Sequence, residues 1–157
     1  MDKMLITDLL CATLAAMLLW AAVVDIRTRT IANGLNLAIA LMAPVFWWAM
    51  EVDPWPDAAI RVGVAVMIFL LFALAFPLGM MGGGDVKLAA ALALWFAPGD
   101  TMLLIVLMSL AGGVLTLVVM IEHKIKQNDG RPEVPYGVAI AFGGLWLLAQ
   151  RFLNHFA

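Results

Sequence analysis

The sequence has 157 residues, of which 65% are hydrophobic and 13% are charged, and its formal net charge is −2. Soluble globular domains are about half apolar and about a quarter charged, so this composition excludes a soluble domain and indicates a polytopic membrane protein. Basic residues are few and unclustered, which argues against a nucleic-acid partner. Cys11 is the only cysteine and the chain has two histidines, so we expect no internal disulfide, no metal site and no cofactor.

Apolar runs predict six transmembrane helices, judged against the roughly 20 residues that a helix needs to cross the hydrocarbon core. In chain order they cover residues 4–24, 35–50, 59–78, 86–97, 101–121 and 134–152. The fourth run is short, ends at Pro98-Gly99, and follows a predicted glycine loop. The sequence therefore predicts an all-α membrane protein, a bundle of six transmembrane helices forming a single domain over residues 1–157.

The positions of lysine and arginine predict the orientation of this bundle. Six of them fall in the first, third and fifth connections, and three, together with several acids, fall on the opposite face. Cytoplasmic loops carry the excess of basic residues. We therefore expect both termini outside the cell, and the first, third and fifth connections in the cytoplasm.

The stretch Gly82-Gly83-Gly84-Asp85 lies between two apolar segments. Placing a carboxylate in such surroundings costs free energy, so Asp85 indicates a functional site by default. Glycines allow unusual backbone conformations and close approach of another chain. The alternative interpretation is a simple helix N-cap, in which Asp85 satisfies free N–H groups of the following helix.

A second acid, Asp25, closes the first predicted span on the same predicted face as Asp85. Two neighbouring carboxylates cannot both ionise easily, so one keeps a proton near neutral pH. The ionised member can then take a proton from water while the protonated member donates to a scissile carbonyl. The pair indicates peptide hydrolysis.

These residues resemble the prepilin peptidases, membrane aspartyl proteases of the GxGD class. The string Gly82-Gly83-Gly84-Asp85 fits G-x-G-D, and Lys87 fits a lysine common two residues later. The segment from Asp25 through Arg27 and Ile31 to Asn33 resembles the family's first-aspartate motif, with Ala32 in place of a proline. The string Pro135-Tyr136-Gly137 also resembles the family's pattern at the start of the last span.

The resemblance implies that Asp25 and Asp85 form the catalytic pair and that Gly82, Gly84 and Lys87 support it. Arg27, Asn33 and Pro135-Tyr136-Gly137 would be secondary site residues. The implied substrate is a prepilin or pseudopilin, with an N-terminal leader and an apolar helix, that is cut at the cytoplasmic face of the bacterial inner membrane. The chain has no large cytoplasmic insertion and no C-x-x-C pairs, so it looks like the compact Flp/Tad type and predicts no methyltransferase activity.

Two alternative functions are open at this point. A presenilin-like intramembrane protease also uses GxGD, but its first acid follows a tyrosine, whereas Val24 precedes Asp25 here. A small transporter or assembly subunit could use Asp85 as an ion or proton relay, and that function predicts acids at mid-membrane depth in broken helices.

Overall fold

The computed structural model describes residues 2–76, 81–126 and 133–156 of the chain. Every regular element in this part is helical, and no strand is present in it. The helices are α1 (Lys3–Thr28), α2 (Asn33–Ala49), α3 (Ala59–Ala75), α4 (Gly83–Ala93), α5 (Pro98–Ile125) and α6 (Tyr136–Phe156), and one π-helical turn, Pro54–Ala58, leads directly into α3.

Four of these helices are long and apolar enough to cross a membrane. They are Lys3–Thr28, Pro54–Leu74, Pro98–Ile125 and Tyr136–Leu153. The second predicted span corresponds to α2, which has 17 residues, and the fourth to α4, which has only 11. The predicted all-helical architecture is confirmed, while the count of six spans and the orientation stay predictions. The predicted end of the third span, residues 77 and 78, lies outside the described residues.

Short α4 lies at the centre of the bundle. It packs against α2, α3 and α6, and α1 packs against α2 and α6. Leu88 and Leu92 of α4 are fully buried, next to a core that includes Leu14 and Leu18 of α1 and Ile140 of α6. By contrast, α3 and α5 expose most of their apolar side chains. Such exposure suits contact with lipid, because hydrocarbon chains are as apolar as leucine.

The chain path gives the bundle two distinct ends. Helix α1 ends, and α2, α4 and α6 begin, at one end, which we call the aspartate end because Asp25 and Asp85 lie there. At the opposite end, which we call the distal end, α2, α4 and α6 end and α3 and α5 begin. The alternation of helix directions thus places the two acids at the same end, although 59 positions separate them in the chain.

The distal end of α4 is closed by hydrogen bonds from neighbouring side chains. The Nε1–H of Trp47 donates to the Leu94 carbonyl oxygen at 2.7 Å, and the Arg61 guanidinium donates to the Trp95 carbonyl oxygen at 2.8 Å. The Nε1–H of buried Trp95 donates to the Ile39 carbonyl oxygen at 2.9 Å. Helix ends leave carbonyls without intrahelical partners, and a membrane interior offers no water to satisfy them. These contacts therefore fix where α4 ends.

Candidate active site

Asp25 lies in the last turn of α1. The helix ends at Arg29, which adopts a left-handed conformation with φ of 53° and donates its backbone N–H to the Asp25 carbonyl oxygen at 2.9 Å. The Asp25 side chain is only 3% exposed, and its Oδ2 atom makes no hydrogen bond with the described residues. It faces the backbone amides of Gly137 and Val138 in the first turn of α6. The positive end of α6 therefore points at the carboxylate.

Asp85 lies in the first turn of α4. Its carboxylate accepts a hydrogen bond from the backbone N–H of Gly82, the N-cap residue, at 3.2 Å, and the side chain is 7% exposed. The predicted glycine loop before this helix is wrong in part, because Gly83 and Gly84 already belong to α4. The alternative of Asp85 as N-cap is also wrong. The acid sits three positions into the helix and reaches back to the N-cap, as the acid of a capping box does.

The structure brings the two acids together. Both side chains are buried at the aspartate end, and Asp85 lies within electrostatic range of Asp25. A positive charge, that of Arg29, also acts on Asp25. Two buried carboxyl groups within electrostatic range of each other cannot both carry a full negative charge at low cost.

Ile31 connects the elements that carry the acids. It lies in the α1–α2 connection and is 7% exposed. A Cβ atom placed on Gly84 would lie 2.9 Å from the Ile31 carbonyl oxygen. One placed on Gly137 would lie 2.6 Å from Ile31 Cδ1 and 2.8 Å from Asp25 Oδ2. A Cβ atom on Gly84 would therefore collide with backbone, and one on Gly137 would force the side chains of Ile31 and Asp25 to move.

The first turn of α2 holds the first turn of α4. The side-chain amide of Asn36 donates to the Gly84 carbonyl oxygen at 2.9 Å, and the Lys87 ammonium donates to Asn33 Oδ1 at 2.7 Å. Asn36 is 4% exposed, and its Oδ1 atom has no partner among the described residues. Sequence reasoning missed Asn36 and gave Ile31 no role. The available signal was the polar pair Asn33 and Asn36, which falls on one face of an otherwise apolar helix.

Other predicted site residues lie apart from the acids or play a supporting part. Arg27 is exposed and forms no hydrogen bond or ion pair with the described residues. Tyr136 packs its ring against Gly112 of α5, and its hydroxyl lies 3.3 Å from Thr116 Oγ1, so it ties α6 to α5. Pro135 is buried directly before α6. Of this predicted motif, Gly137 is the residue that contacts the carboxylate.

The fold and this site define an all-helical, multi-pass membrane protein with a buried pair of acids at one end. The model of the type IV leader peptidase family matches residues 12–117, which is more than half of the chain and includes both Asp25 and Asp85. The chain belongs to the type IV leader peptidase family, which confirms the resemblance stated above. Comparison with curated proteins and with solved structures gave no match.

Proposed function

We propose that the protein is an aspartyl endopeptidase that removes the leader peptide of Flp-like prepilins or pseudopilins with Asp25 and Asp85. Membership of the leader peptidase family supports a peptidase in general. The observation that carries the finer proposal is the burial of two acids at one end of the bundle, each next to a helix N-terminus. The basic residues around this end support a cytoplasmic site in the inner membrane of a bacterium.

The chemistry needs a single water molecule and one proton shared by the pair. The ionised carboxylate removes a proton from water as the water oxygen attacks the scissile carbonyl carbon, and the protonated carboxyl donates to the carbonyl oxygen. The C–N bond of the tetrahedral intermediate then breaks. The leaving amine takes up a proton from the acid that accepted one in the first step, and one hydroxyl of the intermediate returns its proton to the other acid as the carboxylic acid product forms, so the pair returns to its starting state.

We assign the ionised role to Asp25 and the protonated role to Asp85. Burial disfavours a charge on both acids, but for Asp25 the α6 amides and the charge of Arg29 offset part of this cost. Asp85 receives one amide hydrogen bond, from Gly82, and faces the negative charge of Asp25. Helix N-termini and cations stabilise carboxylates, while a neighbouring negative charge disfavours a second one.

The first alternative, a relay in a transporter, finds less support in the contacts. Neither acid interrupts a helix, since Asp25 is in the last turn of α1 and Asp85 in the first turn of α4. The second alternative, a presenilin-like protease, shares the chemistry but cuts within a span. The location of the pair at a bundle end favours a cut near the membrane surface.

The test is cleavage of a purified Flp-like prepilin in detergent by the wild-type protein and by two variants, Asp25→Asn and Asp85→Asn. Each variant removes one ionisable group while keeping the shape of the side chain. We expect each to lower cleavage by at least about a hundredfold, since acid and base catalysis each contribute roughly 10²–10⁴-fold. Prepilin cleavage retained by either variant, at unchanged expression and membrane insertion, would refute the assignment.

We further propose that the apolar helix of the substrate lies in a groove between α2, α3 and α4. The groove has a volume of about 520 Å³ and is lined by apolar side chains, including those of Leu37, Val66 and Ala90. It ends at Asn33, Asn36 and Lys87. Asn36 is the residue that bonds Gly84 next to Asp85. An apolar stem in this groove would therefore bring the polar cleavage segment to the acids.

A tryptophan at Ala90 would fill this groove, and a tryptophan at Ala111, in a different groove, is the matched control. A second apolar groove of about 470 Å³ between α5 and α6 is lined in part by Ala111. We expect Ala90→Trp to raise the KM for a prepilin at least about tenfold, because a pre-formed groove loses its packing contacts when it is filled. Ala111→Trp should leave KM unchanged. The reverse pattern would place the substrate helix on α5 and α6.

A further inference from the structure

A polar cavity lies at the distal end of the bundle, away from the two acids. Its volume is about 200 Å³. The end of α2, the beginnings of α3 and α5 and the end of α6 surround it, at an end of the bundle where we expect the helices to leave the membrane. Two arginines and one aspartate line it beside apolar and aromatic side chains. The charged residues are Arg61, Asp100 and Arg151, and the apolar and aromatic ones include Phe46, Trp95, Phe96 and Leu147.

The guanidinium of Arg151 lines this cavity and has no oxygen partner among residues 2–76, 81–126 and 133–156. It donates to the sulfur of Met50 and lies over the ring of Phe46, with its Cζ atom 5.1 Å from the ring centre. It forms no ion pair with the described residues. A thioether is a weak acceptor, and a guanidinium presents five N–H donors in a planar fork that suits phosphate. The contact with the Phe46 ring orients the guanidinium, and some of its N–H groups remain available to donate to a ligand.

Arg61 and Asp100 complete the charge pattern. Arg61 uses one N–H for the Trp95 carbonyl, and Asp57, Asp100 and Arg151 are all within electrostatic range of it. Neither Arg61 nor Asp100 forms an ion pair within the described part of the chain. The residues that line the cavity thus include two cations and one exposed carboxylate, a formal charge of +1, and Asp57 lies outside the lining but near Arg61.

We propose that this cavity binds a phosphoethanolamine headgroup, with its phosphate on Arg151 and Arg61 and its ammonium on Asp100. A purely anionic ligand would satisfy the arginines and leave Asp100 facing a like charge, whereas a phosphate linked to an ammonium satisfies both signs. The location at a membrane-facing end assigns the headgroup to a phospholipid, whose chains would continue along the apolar outer surface. The site is independent of the peptidase function proposed above.

The test is thermal unfolding of the delipidated full chain in detergent with added phosphatidylethanolamine, phosphatidylglycerol, phosphatidylcholine or free phosphoethanolamine. A ligand that binds only the folded state raises the unfolding temperature, by an amount that grows with the logarithm of its concentration divided by its Kd. We expect phosphatidylethanolamine to stabilise the wild type most. Arg151→Gln should weaken its apparent Kd at least roughly tenfold, since a charge-assisted hydrogen bond contributes that much.

Asp100→Asn tests the contact with the ammonium group separately from the contact with the phosphate. It should abolish the preference for phosphatidylethanolamine over phosphatidylglycerol while keeping binding of both. Arg27→Gln, a matched change at the aspartate end, should leave the apparent Kd unchanged. Equal stabilisation by all three lipids, or an unchanged Kd in Arg151→Gln, would overturn the proposal. Equal stabilisation by free phosphoethanolamine would overturn the phospholipid as its source.

Discussion

The two ends of α4 are built in opposite ways. At the distal end, Trp47 and Arg61 donate to its last carbonyls, and Trp95 locks the chain to α2. At the aspartate end, the chain enters through glycines, and a buried carboxyl group receives one amide hydrogen bond. One end has its polar groups matched by side chains of neighbouring helices. At the other end, some buried polar atoms have no hydrogen-bond partner among the described residues.

We infer that the distal end of α4 serves stability and that the aspartate end serves the chemistry. Among the described residues, three buried side-chain oxygens have no partner, and two of them, on Asp25 and Asn36, lie at the aspartate end. The third, on Thr101, lies in the first turn of α5 at the distal end, outside α4. An unsatisfied buried polar group costs free energy and calls for an explanation such as a catalytic role or a bound water. Neighbouring helices thus hold the distal end of α4, while two buried oxygens without partners remain at the aspartate end.

Of the changes that test this difference between the two ends, Gly137→Ala is expected to have the largest effect. The added methyl group would collide with Asp25 Oδ2 and with Ile31, and it would push α6 away from the carboxylate. We expect a loss of roughly 1–3 kcal/mol in the free energy of unfolding, typical of overpacking, and at least about a hundredfold loss of cleavage, as misplacement of a catalytic group can cause. Cleavage assays and thermal unfolding in detergent measure the two effects.

Gly34→Ala is the matched control for this change. Gly34 lies at the same end in the first turn of α2, and a Cβ atom placed on it has nothing within 4 Å. Alanine favours a helix over glycine, so this variant should be as active as the wild type and no less stable. If Gly34→Ala impaired cleavage as strongly as Gly137→Ala, the close contact at Gly137 would not be the cause.

A smaller effect, on stability alone, is expected from Trp47→Phe at the distal end. Phenylalanine keeps most of the ring but loses the Nε1–H that donates to Leu94. Hydrogen bonds between membrane helices contribute about 0.6 kcal/mol on average and up to about 1.7, so the unfolding free energy should fall within this range. The adjacent Trp48 is 60% exposed and makes no hydrogen bond through its indole in the described residues, so Trp48→Phe is the control. A drop in kcat for Trp47→Phe would contradict the division between the two ends.

The sequence predicted the helices and the end of the bundle at which the acids lie, because both depend on long apolar runs and on the alternating direction of successive helices. It also predicted Asp25, Asp85 and Gly137 as site residues by resemblance. It could not predict that Gly83 and Gly84 are helical, since glycine permits helix and loop alike. The roles of Ile31 and Asn36 depend on contacts between elements distant in the chain, such as the bond from Asn36 to Gly84, which local patterns do not encode.

The central claim is that Asp25 and Asp85 meet in one site, and cross-linking of paired cysteines tests it most directly. In a background with Cys11→Ala, the pair Asp25→Cys and Asp85→Cys should cross-link rapidly within one chain when a short bifunctional maleimide is added to purified protein. The pair Asp25→Cys and Asp100→Cys, with one residue at each end of the bundle, should not. Efficient cross-linking of the first pair only is the predicted result. Failure of the first pair to react, with both thiols labelled by a small maleimide, would contradict the account.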